Sequence, residues 1–327
     1  IDALKSKTYL NIFVLHPEKK ISETQRKLMT SVLDKNVYNI YKVVIDNNGW
    51  VLFHDNKELA INKQDFSVIY ENSKITFDGV FMAIHGKPGE NGELQKYFDN
   101  LNIPYTTSGE KEAQLSFDKG GCNAFLLSKG VKCAKSVVIE KNNNIELDKI
   151  ISQTGLPCFV KPNSNGSSFG ISKVNKKDRL LEAIEKAFQL DSNVIIESFL
   201  DGIELTCGIH NFNGQLFTFP ITEIISENEF FDYQAKYEGK SKEITPANLS
   251  KKIANKVSEQ TKKVYKLLNL DGIARIDFII VNDEPVVIEA NTVPGLSKES
   301  IIPQQAQCAG ISLTELFNQS VQHIFKK

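Results

Sequence analysis

The sequence predicts a fold of the α/β and α+β classes, in which an open parallel sheet is followed by a two-part C-terminal region. In the first third, apolar strand-like runs alternate with amphipathic helical stretches, which is the rhythm of a parallel sheet. From about Phe117 the strands become short and are separated by helices, as in a small α+β unit. A chain of 327 residues exceeds one minimal core, so several domains are expected. The expected domains are an N-terminal α/β domain at 1–117, a central subdomain at 118–205 and a C-terminal subdomain at 206–327.

The N-terminal elements follow from local patterns. Ser22 and Gln25 form a capping box that opens a helix toward Leu33, because a serine followed three residues later by glutamine satisfies free helix N–H groups. Leu94 and Phe98 mark the apolar face of a second, short helix. The predicted strands are 9–15, 39–45 and 80–84.

The remaining elements are predicted in the same way, from β-branched runs and helical periodicity. The predicted strands are 136–140, 158–161, 194–197, 208–212 and 216–221, and the predicted helices are 177–189, 249–268 and one from Leu313. A polar connection at 222–250 separates two of these elements and carries four aromatic residues. Connections longer than about 12–15 residues are usually binding loops, lids or disordered segments, and the aromatic residues make a disordered segment the weaker option.

Composition excludes several classes of protein. Lysine and arginine (39) balance aspartate and glutamate (40), which argues against a basic nucleic-acid-binding protein. No apolar run reaches the ~18 residues that span a bilayer, and the N-terminal residues lack a signal-peptide pattern. Five cysteines and five histidines are scattered, which indicates neither a disulfide framework nor a zinc site. We expect a cytoplasmic protein that binds neither nucleic acid nor membrane.

A β-hairpin at residues 275–291 is the most informative segment. Two β-branched runs flank Asn282-Asp283-Glu284, which predicts a three-residue loop. If Val281 pairs with Pro285, residues 277 and 289 face each other, as do residues 275 and 291. Period-two alternation then places one set of side chains on the opposite face. That set is Ile276, Phe278, Ile280, Val286 and Ile288.

The charged face of this hairpin predicts a metal site. Asp277 opposite Glu289 would hold two carboxylates with Cβ atoms about 4.5–5.5 Å apart, which is unfavourable without a cation. Oxygen ligands favour Mg²⁺ or Mn²⁺ over zinc, and magnesium completes its shell with water and phosphate. The hairpin therefore indicates a nucleotide site. On charge alone, a solvated exposed face explains the pattern equally well, and a one-residue slip would remove the geometry.

Two further segments contain candidate phosphate-binding groups. Residues 159–170 run from a strand through Lys161 into a Gly/Ser/Asn loop, whose backbone N–H groups can approach anionic oxygens. The segment is not a P-loop, and a plain turn explains it when it is taken alone. Lys119, in S-F-D-K-G-G, is a second candidate cation. By itself it is an ordinary surface lysine.

Two other segments contain candidate groups for the rest of a nucleotide or for its substrates. Glu197 ends an apolar strand and Glu204 follows a Gly202 turn, where adenine and ribose could find hydrogen-bond partners. Two solvent-facing glutamates are the simpler reading of these residues alone. The segment H-G-K-P-G-E-N-G begins at His85, at the end of an inferred parallel strand, which is where ligands bind in open sheets. A glycine-rich turn with an incidental histidine is the alternative.

Together these segments resemble the D-alanine–D-alanine ligase family of the ATP-grasp superfamily. The resemblance runs from about Tyr9 to the C-terminus, with five motifs in the family's order. They are H-G-K-P-G-E-N-G-E-L-Q, K-P-N-S-N-G-S-S-F-G, F-F-D-Y-Q-A-K-Y, A-R-I-D-F and I-E-A-N-T-V-P-G-L-S-K-E-S. The resemblance implies a substrate-binding N-terminal domain before a two-part ATP-grasp fold, with ATP between the central and C-terminal parts. It also implies ligation of two D-alanines through an acyl phosphate, for peptidoglycan precursor synthesis.

The resemblance also implies a role for each matching residue. The implied ligands of two Mg²⁺ or Mn²⁺ ions are Asp277, Glu289 and Asn291. The implied nucleotide-binding residues are Lys119, Lys161 and Lys236 for phosphate, Glu197 for the adenine amine and Glu204 for ribose. The implied substrate and oxyanion residues are Glu18, Ser167, Tyr237, His85, Arg275, the Gly295 N–H and Ser300. The family's usual glycine pair before the glutamate is replaced here by Leu15-His16-Pro17.

Several alternatives share these motifs. The resemblance implies a homodimer whose small-molecule substrates are ATP and D-alanine. A D-alanine–D-serine ligase stays open, whereas Tyr237 disfavours the D-lactate type. An ATP-grasp ligase with other substrates would share only the nucleotide-binding residues. A silent nucleotide-binding protein would lack the metal carboxylates or the oxyanion arginine, yet Asp277, Glu289 and Arg275 are present.

Overall fold

The computed structural model describes residues 10–17, 32–46, 49–166, 170–212, 214–226 and 241–326. The described strands are β1 (Leu10–Pro17), β2 (Tyr38–Asp46), β3 (Gly49–His54), β4 (Lys57–Ala60), β5 (Val68–Tyr70), β6 (Ser73–Ile75), β7 (Gly79–Met82), β8 (Ser136–Glu140), β9 (Cys158–Pro162), β10 (Ser172–Val174), β11 (Asn193–Ser198), β12 (Ile203–Phe212), β13 (Gln215–Thr218), β14 (Thr222–Ser226), β15 (Ser241–Ile244), β16 (Ala274–Val281) and β17 (Glu284–Asn291). The described helices are α1 (Glu93–Asn100), α2 (Glu110–Phe117), α3 (Lys119–Ser128), α4 (Leu147–Thr154), α5 (Leu180–Ala187), α6 (Lys251–Leu267), α7 (Ile301–Cys308) and α8 (Leu313–Ile324).

The N-terminal sheet has the order β4-β3-β2-β1-β7. β1 pairs in parallel with both β2 and β7, which confirms the three predicted strands and their direction. β3 and β4 extend the sheet in antiparallel fashion, so the parallel part is a core rather than the whole sheet. Phe66 and Phe98 pack edge to face beneath it, 4.9 Å apart. The predicted capping box at Ser22 lies outside the described residues.

The central sheet is antiparallel, with the order β10-β9-β11-β8. Its apolar face is covered by α4 and α5. In α5 the buried side chains are Leu180, Ala183, Ile184 and Ala187, the i, i+3, i+4, i+7 spacing of an amphipathic helix. The predicted helix at 177–189 begins as a 3₁₀ turn, Lys177–Arg179, and becomes α-helical only from Leu180.

The C-terminal sheet has six strands in the order β15-β14-β12-β16-β17, with β13 also paired to β12. α6 packs on its apolar face, where Val257 and Val264 are buried. The connection predicted at 222–250 is not wholly a loop, because its described ends form β14 and β15, which pair with each other. Residues 227–240 between them lie outside the described part of the chain.

The β16–β17 hairpin confirms the predicted pairs at the charged end and corrects those at the turn. Asn282 and Asp283 both have positive φ, 51° and 61°, which makes a two-residue turn with Val281 opposite Glu284. A β-bulge after Asp277 restores the register, so Asp277 faces Glu289 and Arg275 faces Asn291. The prediction for two side chains on the apolar face was wrong for the same reason. Val286 pairs with Ile279, on the face of Asp277, and Ile288 lines the cleft described below.

The C-terminal helices join the N-terminal sheet to the rest of the molecule. Phe317 of α8 contacts Phe81 of β7, with ring centroids 5.0 Å apart. A side chain at Gly272 would place its Cβ 2.1 Å from the Thr106 carbonyl oxygen, so the two segments touch through backbone. No pattern in the sequence had predicted α7, and no described helix is long and apolar enough to cross a bilayer.

Candidate active site

A cleft of about 470 Å³ lies between the central and C-terminal sheets. Strands from both sheets, the start of α3 and the start of α7 form its walls. Apolar side chains such as Phe159, Ile279 and Ile288 line part of it, beside charged groups. The charged side chains of the lining that the sequence had singled out are Lys119, Lys161, Glu197, Glu204, Arg275, Asp277 and Glu289.

The carboxylate of Asp277 accepts four hydrogen bonds in this cleft. Arg275, two residues earlier on β16, donates from Nε and Nη2 to its two oxygens, each at 2.9 Å. The Thr206 hydroxyl on β12 donates to Oδ1 at 2.6 Å, and the Asn291 amide on β17 donates to Oδ2 at 2.9 Å. Three adjacent strands therefore hold one carboxylate in a single orientation.

Arg275 keeps its charge in this setting. Burial disfavours the guanidinium charge, but the neighbouring Asp277 outweighs it, with Glu289 and Glu90 adding to the effect, and the pKa of Arg275 lies above its ordinary value. A planar guanidinium that binds a carboxylate through two parallel N–H groups is also fixed in direction. Arg275 is thus a permanent, oriented cation at the centre of the cleft.

Glu289 is paired with the lysine at the start of α3. Lys119 Nζ lies 2.8 Å from Glu289 Oε1 and donates to the Asn165 carbonyl, also at 2.8 Å. Burial opposes the ammonium charge, but Glu289, Glu197 and Glu90 raise the pKa of Lys119. The structure thereby brings together the hairpin and two segments that the sequence could only treat separately.

Lys161 and Glu197 form a second ion pair on neighbouring strands of the central sheet. Their Nζ and Oε2 atoms are 2.6 Å apart, and each side chain is only 8% exposed. A buried pair of this kind costs desolvation on both sides. Both residues lie in the cleft wall. A ligand that replaces one partner of the pair would therefore contact a charged side chain that is already held in position.

We expect Glu197→Ala to destabilise the fold by about 3–5 kcal/mol, because the Lys161 charge would stay buried without this partner. Urea denaturation measures the change in the free energy of unfolding. The matched control is Glu182→Ala, which removes the acid of an exposed pair with Arg179 and should cost less than about 1 kcal/mol. Equal losses in the two variants would show that the Lys161–Glu197 pair is not buried in solution.

The predicted substrate residues cluster where the N-terminal sheet meets the segment after β17. His85 Nδ1 donates to the Val293 carbonyl at 2.7 Å. A Cβ at Gly295 would lie 2.7 Å from Ser300 Oγ, so a larger residue here would displace the Ser300 hydroxyl. Ser300 is the N-cap residue of α7, and its hydroxyl bonds Ser297 Oγ at 2.7 Å.

Two residues of the site escaped the sequence analysis. Glu90, inside H-G-K-P-G-E-N-G, accepts a hydrogen bond from the Gly86 N–H at 2.6 Å. Burial raises the pKa of Glu90, and the Glu289 charge adds to the rise against the opposing effect of His85. The position of Glu90 in a glycine-rich motif was the one feature of the sequence that could have indicated a functional role. Thr206 had none, since only strand pairing places it opposite Asp277.

Four predicted residues lie outside the described part of the chain. They are Glu18, Ser167, Lys236 and Tyr237. The remaining predicted residues fall into two groups. Glu204 lies in the cleft with the nucleotide-binding candidates, whereas His85, Gly295 and Ser300 lie around the Val293 segment and the start of α7.

The oxygen donors fit a divalent cation under one condition. Within the described ranges, no three His, Cys, Asp or Glu side chains converge on a common point, so the set needs the amide oxygen of Asn291. The four lone pairs of Asp277 are filled by Arg275, Thr206 and Asn291. A rotation of the Asn291 amide by half a turn would free one lone pair of Asp277 Oδ2 and would place Asn291 Oδ1 where Nδ2 now lies. The residues therefore fit Mg²⁺ or Mn²⁺, both of which prefer such ligands.

Family models match most of the chain. The model described as "D-ala D-ala ligase C-terminus" matches residues 125–322, and the one described as "D-ala D-ala ligase N-terminus" matches residues 16–108. A D-alanine–D-alanine ligase of Flavobacterium johnsoniae is 47% identical over 306 residues, 93% of this chain and 95% of the relative. One from Christiangramia forsetii is 42% identical over 306 residues, 93% of this chain and 94% of the relative.

Solved structures share the fold over nearly the whole chain. The D-alanine–D-alanine ligase of Bacillus anthracis is 29% identical, with a TM-score of 0.80 over 97% of this chain and 98% of its own. A complex of a Bacillus anthracis D-alanine–D-alanine ligase with ATP has a TM-score of 0.77 at 28% identity, over 97% of this chain and 98% of its own. The VanG D-Ala:D-Ser ligase of Enterococcus faecalis is 27% identical, with a TM-score of 0.84 over 96% of this chain and 99% of its own.

Proposed function

The chain belongs to the D-alanine–D-alanine ligase family, whose members are ATP-dependent carboxylate–amine ligases, and we propose that it joins two D-alanines into D-alanyl-D-alanine for peptidoglycan synthesis. The observation that carries the proposal is the paired arrangement of Asp277 and Glu289 in the cleft, each held by a cationic side chain. A carboxylate is a poor electrophile, so the reaction needs a leaving group on it. Phosphorylation by ATP to an acyl phosphate supplies one.

The cleft supports nucleotide binding through its mixed lining. Phe159, Ile279 and Ile288 offer an apolar slot of the kind that suits a purine. Glu197 is placed to accept the adenine amine and Glu204 to bind ribose. Lys161, already held in the cleft by Glu197, would exchange this partner for phosphate oxygens. Lys119 would contact phosphate while it stays paired with Glu289.

The hairpin carries the phosphoryl-transfer role. Asp277, Glu289 and Asn291 would hold two Mg²⁺ or Mn²⁺ ions, which when bound neutralise the charge that develops on the phosphate oxygens. Lys119 keeps the Glu289 carboxylate aimed into the cleft. Thr206 and Arg275 do the same for Asp277. The protein therefore holds both carboxylates in the orientation for metal binding before the metal ions bind.

The second step is attack of the amine of the second D-alanine on the acyl phosphate. Arg275 and the backbone N–H of Gly295 would stabilise the oxyanion of the tetrahedral intermediate, which then expels phosphate. Ser300, at the N-terminal end of α7, would hold the carboxylate of the incoming D-alanine. The close approach of Gly295 to Ser300 would keep the two groups within reach of one small substrate.

The remaining assignments rest on the sequence motifs. Glu18 would bind the ammonium of the first D-alanine, with Ser167 and Tyr237 as its partners and His85 beside it, and Lys236 would contact phosphate. We also propose a cytoplasmic homodimer that contacts neither nucleic acid nor membrane. The three-domain division at 1–117, 118–205 and 206–327 belongs to the same proposal.

A D-serine preference at the second site is the nearest alternative, because one structural relative is a D-Ala:D-Ser ligase. Incubating the protein with ATP, magnesium, D-alanine and D-serine, then identifying the dipeptides by mass, decides between them. We expect D-alanyl-D-alanine as the main product, with phosphate release that requires D-alanine. A reaction with L-alanine in place of D-alanine serves as the control. Predominant D-alanyl-D-serine would favour the alternative, and phosphate release with L-alanine alone would refute the proposed function.

A further inference from the structure

Gln305 is a fully buried polar side chain on α7 that lies outside the cleft lining. Its relative exposure is 0%, and its carboxamide makes three hydrogen bonds. Oε1 accepts from the Gly208 N–H at 3.0 Å. Nε2 donates to the Thr206 carbonyl and to the Thr222 hydroxyl, both at 3.0 Å. A buried amide that satisfies both its donor and its acceptor is a strong constraint on where the helix can lie.

The contacts of Gln305 fill a gap in the edge of β12. On that edge β14 pairs with residues 204–206 and β13 pairs with residues 209–212. The Thr206 carbonyl and the Gly208 N–H lie where one strand ends and the next begins. Gln305 bonds both groups, as the backbone of a neighbouring strand would. Without that carboxamide, two backbone groups in a buried sheet would lose this partner, which is costly.

Gly208 makes this docking possible. A Cβ at this position would lie 2.4 Å from Ile302 Cδ1 and 2.6 Å from Gln305 Oε1. A larger residue here would displace these two side chains, so glycine allows α7 to lie close enough to the strand for the carboxamide to reach its backbone. Gln305 and Gly208 therefore form one device that sets the distance from α7 to β12.

Both ends of this device reach the proposed site. Thr206, whose carbonyl Gln305 binds, donates its hydroxyl to Asp277 Oδ1 at 2.6 Å. The helix that carries Gln305 begins after Ser300, and its first residue, Ile301, lines the cleft. Gln305 is therefore connected to the Asp277 carboxylate through Thr206, and to Ser300 through the first turn of α7.

We infer that Gln305 is a positioning residue for the ligation step, resting on the proposed function: it holds Ser300 and the Thr206–Asp277 pair at the separation that amine attack requires. It touches no substrate. Lys119, Lys161 and Glu197, the proposed phosphate and adenine ligands, make none of the contacts described above with α7, β12 or Gln305. Glu204, the proposed ribose ligand, lies on β12 but pairs with Ile224 and Ile279, before the segment that Gln305 bonds. The loss of Gln305 should therefore change kcat and the KM for the second D-alanine much more than the affinity for nucleotide.

Gln305→Met keeps the length of the side chain and removes its hydrogen bonds. We expect kcat to fall about 10- to 100-fold, the range typical of residues that orient a primary ligand, and KM for the second D-alanine to rise severalfold. Binding of a non-hydrolysable ATP analogue, measured by calorimetry, should stay within about threefold of wild type. Gln307→Met is the matched control, because Gln307 is exposed on the same helix. Constants for the two variants that agree within about twofold would overturn the proposal.

Thr206→Val tests the same link if Gln305→Met folds poorly. Valine keeps the β-branched shape and the backbone bonds to Gln305 while removing the hydroxyl that reaches Asp277. We expect a similar fall in kcat, and a double variant no worse than about twofold below the poorer single variant, because both lie on one path. A fall in kcat that multiplies in the double variant would show that Gln305 does not act through Thr206.

Hydrogen exchange separates failure of this inference from failure of the proposed function. Absence of D-alanyl-D-alanine from the wild-type reaction would refute the function. In that case, faster amide exchange at Gly208 in Gln305→Met than in Gln307→Met would still support the docking device. Equal exchange rates would refute the device whatever the protein catalyses.

Discussion

Replacing Glu289 by glutamine is expected to lower kcat about a thousandfold, at the upper end of what one preorganised electrostatic group contributes to a transition state. Glutamine keeps the shape of the side chain but removes the charge that faces Asp277 across the hairpin and pairs with Lys119. A neutral amide binds a divalent cation poorly, so charge on the transferring phosphate would go uncompensated. Phosphate release in the presence of ATP and D-alanine measures the effect.

The matched control for this substitution is Glu284→Gln. Glu284 lies at the other end of β17 and pairs with Lys132 and Lys256 at the surface, far along the strand from the cleft. Its replacement should leave kcat within about twofold of wild type, since exposed pairs contribute little. Activity of Glu289→Gln near that of the control, in a protein with an unchanged melting curve, would refute the assignment of Glu289 to the metal site.

Arg275→Lys is expected to lower kcat about 100-fold although the positive charge is kept. The two parallel N–H donors of Arg275 hold both oxygens of Asp277, and a lysine ammonium cannot reproduce that fork. The loss combines a loosened Asp277 with a displaced cation at the oxyanion. Single-turnover kinetics with D-alanine in excess separate the two steps, because acyl phosphate formation and dipeptide formation are then observed independently.

Arg179→Lys provides the comparison for the arginine variant. Arg179 pairs with Glu182 on an exposed helix surface, where exchange of the two cations should be silent in both steps. If Arg275→Lys slowed neither step by more than about threefold, the guanidinium would be a structural partner of Asp277 and no part of the oxyanion site. Slowing of the first step alone would assign it to the metal carboxylate only.

The hairpin shows how far local pattern predicts a site. Period-two alternation was sufficient to place Arg275, Asp277, Glu289 and Asn291 on one face, and the structure confirms their pairing. The path to that result was wrong, because the turn is one residue shorter than predicted and a bulge compensates. The face on which each side chain lies follows from its position along the strand. The turn type depends on the positive φ angles of Asn282 and Asp283, and the bulge depends on how the two strands pair, and no alternation pattern encodes either of them.

Local sequence patterns do not predict contacts between segments that are distant in the chain. Lys119 was recognised as a candidate cation, but nothing in its surroundings named Glu289 as its partner. Thr206 and Gln305 carried no signal at all, since a threonine in a strand and a glutamine in a helix are ordinary residues. Their importance arises only when β12, β16 and α7 pack together.

The main strands and helices, the order of the motifs and the chemical types gathered for the site could be predicted from the sequence, because strand alternation, helix periodicity and glycine-rich turns are local properties of the chain. Packing in three dimensions set which carboxylate meets which cation, which buried glutamine closes the gap in β12, and how α7 faces the cleft. These depend on packing that brings remote residues within about 3 Å of each other, the range of a hydrogen bond. Local preferences carry no information on that distance.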